Sequence, residues 1–213
     1  MDDERRATWI DDLVRFASPS SPSNDEPSPQ NSRILDAALT VLGKHGDDHL
    51  TIDMVADQAR MSRMTVFRRF GSKDNLLAQT YRRELARVLN DVAAHAAATT
   101  SVADRCATIA IRLVECASES PIVNWQLRVA PEQVLHLWRN ASPSGQSLGV
   151  DFYAAMLADP ELADCLATER ARIVADTMIR IVMAHILVPE NGHSGASPDF
   201  GAHMRDLATR LTN

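Results

Sequence analysis

From Asn31 onward, apolar residues recur at helical spacing with few breaks. Ile34, Leu35, Ala38, Leu39 and Leu42 form one stripe, which His45-Gly46 ends as a glycine helix terminus. Thr51 can cap a second, short helix through Val55-Ala56 to about Ala59, with Asp53 in its first turn, where the helix dipole favours an acid. Ser62 caps a third, from Arg63 to Phe70. Only Arg60 to Ser62 separate the second helix from the third, a spacing that suits a sharp crossing rather than an antiparallel hairpin. The pattern predicts a helix-turn-helix.

After Gly71-Ser72 a long helix begins, with Ser72 as cap and Asp74 in the first turn, and Leu76, Leu77, Tyr81, Leu85, Val88, Leu89 and Val92 carry it to about Ala98. Ser101 with Asp104 caps the next, to about Ser118. Pro121 and Pro131 sit where first-turn prolines are tolerated and open two shorter helices, and Pro160 is expected to open another. Between Arg172 and Val188, Ile173, Val174, Met178, Ile179, Ile181, Val182, Ile186 and Leu187 make a helix apolar around most of its circumference. One side can face its own core. The other most simply meets a copy of itself, so this helix and the terminal one, Phe200 to Leu211, are expected to build a four-helix homodimer bundle across a two-fold axis. A central helix of a monomer is the alternative.

The first 30 residues differ. SPSSPSNDEPSP, residues 18 to 29, has no large apolar residue and reads as an extended linker. Upstream, Trp9, Ile10, Leu13 and Val14 predict a short amphipathic arm. The expected organisation is therefore an arm and linker over 1–30, a helix-turn-helix domain over 31–77, and a ligand-binding and dimerisation domain over 78–213.

Composition supports an all-α reading: 45% of the 213 residues are hydrophobic, 23% are charged, and there are only 8 glycines. Cys106, Cys116 and Cys165 lack CxxC spacing and fall in apolar helical patterns, as core thiols in a reducing cytoplasm would. No apolar run approaches a membrane span and the first residues are acidic, so a cytoplasmic protein with no membrane partner is expected. Nothing in the sequence matches GxSxG, GxxxxGK[ST], HExxH or a glycine-rich fingerprint. His95, His136 and His185 have no second histidine at i+4. No enzyme, no metal and no cofactor are expected.

The net charge of -6 argues against a nucleic-acid partner until its distribution is examined. RMSRMTVFRRFGSK, residues 60 to 73, contains Arg60, Arg63, Arg68, Arg69 and Lys73 and no acid. On a helix from Arg63, Val66 and Phe70 share one face, Met64, Thr65 and Arg68 lie opposite, and Phe67 and Arg69 flank them. Eight residues at about 1.5 Å rise give a rod of roughly 12 Å, which fits a major groove about as wide. The capped helix starts at Thr51 and Ser72 present N–H groups suited to phosphate. A solvated basic face on an ordinary bundle is the plainer alternative.

Ile34, Ala37-Ala38, Gly46, Thr51, Val55-Ala56, Ala59, Ser62, Thr65, Phe67, Phe70, Ser72-Lys73 and Leu76-Leu77 together resemble the TetR-family DNA-binding domain at matching spacings. The resemblance covers roughly residues 31 to 77. It implies that the third helix, opened by Ser62 and carrying Arg68 outward, is the recognition helix. It also implies that Thr51, Phe67 and Lys73 contact the phosphate backbone and that Arg63, Met64, Thr65 and Arg69 lie near bases. This sequence departs from the family in three places: Arg60 replaces a usual glycine in the turn, Met64 a usual small residue, and Phe67 a usual tyrosine. Either Arg60 adopts a left-handed turn conformation or the turn differs.

The rest of the chain carries no matched motif. The resemblance implies an inducer cavity there, and Trp125, Trp138, Phe152, Tyr153 and Met156 suit a flat or greasy ligand, although ordinary core is the alternative for each. The expected function is a transcriptional regulator, a repressor that binds a palindromic operator as a dimer and is released by a small hydrophobic or aromatic molecule. The rival is a helical interaction protein whose helix-turn-helix no longer binds DNA.

Overall fold

The computed structural model describes residues 28–140, 144–188 and 197–213; the expected amphipathic arm and most of the Ser/Pro linker lie outside them. The described residues form ten α-helices: α1 Pro29–His49, α2 Ile52–Ala59, α3 Arg63–Phe70, α4 Lys73–Ala97, α5 Val102–Glu119, α6 Pro121–Val129, α7 Pro131–Asn140, α8 Gly145–Leu157, α9 Thr168–Leu187 and α10 Pro198–Thr212. They fold into two compact units. Of the described residues, one takes those up to Ala86 together with 120–140, and the other takes Arg87–Glu119, 144–188 and 197–213.

In the first unit, Ile34, Ala38 and Leu42 of α1 close on Val55 and Ala56 of α2, Val66 and Phe70 of α3, and Leu76 of α4. All are apolar and at most 2% exposed, so each element contributes its stripe to one core. Ile122 of α6 joins them. Gly46 ends the regular part of α1 with φ 72° and ψ 176°, a conformation open almost only to glycine. The Trp125 ring of α6 occupies the space a Cβ at Gly46 would need. Arg33 donates from Nη2 to the Ala59 carbonyl at 3.0 Å, and Arg83 from Nη1 to the Ser32 carbonyl at 3.1 Å, tying α1 to the end of α2 and to α4.

The second unit packs α5 against α8, α9 and α10. Its core includes Ile109, Val114, Leu157, Met178, Val182 and Met204. Arg105, only 6% exposed, donates from Nε to the Ala96 carbonyl and from Nη1 to Asp159 Oδ2 at 2.7 Å. A buried guanidinium requires such a set of acceptors. The Asp164 carboxylate accepts from the Val102 backbone N–H at the start of α5, a long-range helix cap.

Two expectations fail here. Pro160 opens no helix: residues 158–167 are turns and extended chain, held by Leu166 N–H to the Leu157 carbonyl. Asp159 and Asp164 are both engaged with other elements in this stretch, which favours a turn. Cys165 lies in this segment and is exposed, unlike the buried Cys106 and Cys116.

Candidate nucleic-acid interface

The site is built on α3 and its flanks. Thr51 caps α2 by accepting from Met54 N–H at 3.2 Å, and Ser62 caps α3 by accepting from Thr65 N–H at 3.1 Å. The Ser62 and Thr65 hydroxyls lie 2.9 Å apart. The turn between the two helices depends on Arg60, which adopts φ 53° and ψ 49°, the left-handed conformation that glycine supplies more cheaply. Arg60 N–H bonds to the Asp57 carbonyl and Met61 N–H to the Ala56 carbonyl, so the turn keeps the crossing despite the substitution.

With Val66 at 0% and Phe70 at 2% exposure fixing the inner face of α3, the opposite face is set. Met64 is 69% and Phe67 51% exposed, and Arg63 and Arg68 are exposed beside them. Arg63 pairs with Asp53 of α2 at 2.9 Å. Lys73, in the first turn of α4, donates to the Asp48 carbonyl at 3.1 Å, and Ser72 accepts from Asn75 N–H at 3.1 Å. Thr51, Ser62, Arg63, Met64, Phe67 and Arg68 are thus exposed, with Thr65 and Lys73 partly so.

Arg69 is the exception in this set. Its guanidinium turns back to the start of α1, where Nη1 donates to Asn31 Oδ1 at 2.8 Å and to Ser28 Oγ at 3.3 Å, and Nη2 donates to Gln30. Its Nε is buried with no partner among the described residues. No sequence signal marks this pairing, because Gln30 and Asn31 are remote in the chain and polar residues in the first turn of a helix look like ordinary surface.

The five residues expected around a ligand are divided between the two units. Trp125 and Trp138 belong to the first unit, and Phe152, Tyr153 and Met156 to the second, on α8. Tyr153 is fully buried and donates its hydroxyl to the Cys106 carbonyl, and burial pushes its pKa far above the usual tyrosine value. Burial also pushes the Cys106 thiol up to about 11, which leaves it protonated and inert. No group of three or more His, Cys, Asp or Glu side chains that could hold a metal occurs among the described residues, and no described helix is long and apolar enough to cross a membrane.

Comparison with known proteins converges on this same domain. Residues 34–80 match the bacterial regulatory proteins of the tetR family. An uncharacterized HTH-type transcriptional regulator of Mycobacterium bovis is 41% identical over 61 residues, 28% of this chain and 30% of the relative; one from Mycobacterium tuberculosis matches equally. The match thus spans under a third of the curated relatives' length. Among solved structures, the fatty acid degradation regulator FadR from Bacillus halodurans superposes with TM-score 0.56 at 13% identity, covering 89% of this chain and 97% of that one. The TetR family repressor AlkX from a Dietzia strain gives 0.54 at 19%, covering 88% and 97%. The multidrug binding protein EbrR gives 0.56 at 23%, covering 87% and 96%. At such identities the structural likeness establishes the fold alone, and the similarity to the tetR family of bacterial regulatory proteins is carried by residues 34–80.

Proposed function

We propose that this protein is a transcriptional regulator that binds a palindromic duplex operator as a homodimer, acting as a repressor that a small hydrophobic or aromatic ligand releases. The outward face of α3 carries the reading. Arg63 and Arg68 stand exposed on it, with Arg60 before and Lys73 after, along fourteen residues without an acid in a chain of net charge -6. Such local segregation of charge suits phosphate, and a helix of this length suits the major groove. The helix starts at Thr51 and Ser72 add N–H groups for phosphate oxygens.

Dimerisation is supported by α9, where Ile173 is 62% exposed on a helix whose opposite face, with Val174, Met178 and Val182, is buried, and Val188, just past its end, is 76% exposed. We infer that this outer face of α9 meets its copy in a second subunit. With α10, this surface is the proposed homodimer interface. Ligand release is supported by the soft and aromatic side chains Phe152 and Met156 on α8, both half-buried, and by the description of EbrR as a multidrug binding protein. Binding would act by favouring one spacing of the two recognition helices.

A mobility-shift titration against the DNA upstream of the protein's own reading frame, at two salt concentrations with nonspecific competitor, tests the reading. Competitor-resistant binding that falls steeply with salt is expected. Binding abolished by competitor would favour a helical interaction protein instead. Sedimentation at micromolar concentration tests the dimer, and a monomer would overturn it.

A further inference from the structure

We infer that Met64 reads the 5-methyl group of a thymine in each operator half-site, with Phe67 closing the contact. The inference rests on the DNA-binding reading above and names what one of its residues recognises.

Met64 stands two positions from the buried Val66, hence on the far side of α3, and at 69% exposure it is the outermost apolar side chain of the helix. Phe67 follows three positions later, 51% exposed, so the two form one apolar patch at i, i+3. Arg63 and Arg68 border the patch and are exposed. This charge arrangement commits the occupant to a polyanion: an apolar protein surface would leave both guanidinium groups desolvated against it. Within a major groove, the thymine 5-methyl is the prominent apolar group, whereas the other base edges offer hydrogen-bond donors and acceptors. A thioether is at best a weak acceptor and donates nothing, so Met64 gains little from those edges and most from covering a methyl. Its flexible, unbranched chain can follow the groove floor. Phe67 has no hydroxyl to offer a phosphate, which leaves its ring for the same apolar contact.

The test selects binding sequences from a random duplex library with the full chain. Each thymine of the selected site is then replaced by deoxyuridine, which deletes only the methyl. We expect at least one position per half-site where the replacement weakens binding about three- to fivefold, the worth of one buried methyl. Met64→Ala should bind more weakly to the thymine site and show no further loss on deoxyuridine replacement there. Met64→Gln should shift selection at that position from thymine toward adenine, whose edge a carboxamide bonds in two places. Both variants change an exposed side chain, and thermal melts should match the parent. Enrichment of a site with no sensitive thymine, or with a sensitivity that Met64→Ala leaves intact, overturns the inference while sparing the DNA-binding reading. Enrichment of no sequence overturns both.

Discussion

Arg63 and Asp53 meet across the turn between α2 and α3, Nη1 of the arginine donating to Oδ2 of the aspartate at 2.9 Å. Their side chains are 70% and 58% exposed, so the pair contributes less than about 1 kcal/mol. On the proposed DNA-binding reading, a duplex competes with Asp53 for Arg63, and the Asp53 carboxylate repels phosphate. Asp53→Asn is expected to leave the unfolding midpoint nearly unchanged and to raise affinity for nonspecific duplex at low salt. Weaker binding of that variant would show that Asp53 aims Arg63 rather than restraining it.

Arg68 and Arg69 are neighbours with different surroundings. Arg68 is exposed on the outer face, whereas Arg69 is bonded to Ser28, Gln30 and Asn31. Arg68→Ala should weaken duplex binding and lower the salt slope by about 1 without changing stability. Arg69→Ala should lose about 1–2 kcal/mol of stability, because charge-assisted bonds are lost. Urea melts paired with salt titrations separate the two. Equal stability of both variants would refute the assignment of Arg69 to the α1 start.

Gly46 is fixed by backbone and by packing together. Gly46→Ala must place a Cβ at φ 72° and against the Trp125 ring. The strain and the overlap should cost about 2–4 kcal/mol in denaturant unfolding. A loss below about 1 kcal/mol would mean that the ring moves aside.

In the second unit, Arg112 donates to Asp91 Oδ2 at 2.6 Å and holds that carboxyl below the usual aspartate range. A depressed folded pKa adds stability that is complete above the unfolded value and is lost as pH falls through the folded one. The parent should therefore lose urea resistance as pH drops below about 4, the ordinary aspartate range. Asp91→Asn should be less stable at pH 7 and lose less on acidification. Parallel profiles would show that the pair does not carry the acid dependence.

The helix-turn-helix was legible because its determinants are local. Thr51, Ser62 and Ser72 cap helices within three residues of themselves, and the Val66 and Phe70 period fixes which face of α3 is inward. The outward Met64 and Arg68 follow from that period alone, whereas Phe67 and Arg69, both on the flanks, are told apart only by the fold. The irregular 158–167 stretch was missed because Asp159 and Asp164 are satisfied by Arg105 and by the start of α5, partners more than fifty residues away. The grouping of Trp125 and Trp138 with the helix-turn-helix unit is likewise a matter of contact, since α6 packs on α1 and its Trp125 ring meets Gly46.

The sequence by itself determined the three helices of the helix-turn-helix region, their caps and the basic, acid-free stretch, since spacing and charge are properties of neighbours along the chain. Only the tertiary structure decided that Arg60 accepts a left-handed turn, that Arg63 is shared with Asp53, and that Arg69 is turned away to Asn31. Those outcomes depend on which side chains folding brings within hydrogen-bond reach across the crossing of α1, α2 and α3, a distance that sequence separation does not encode.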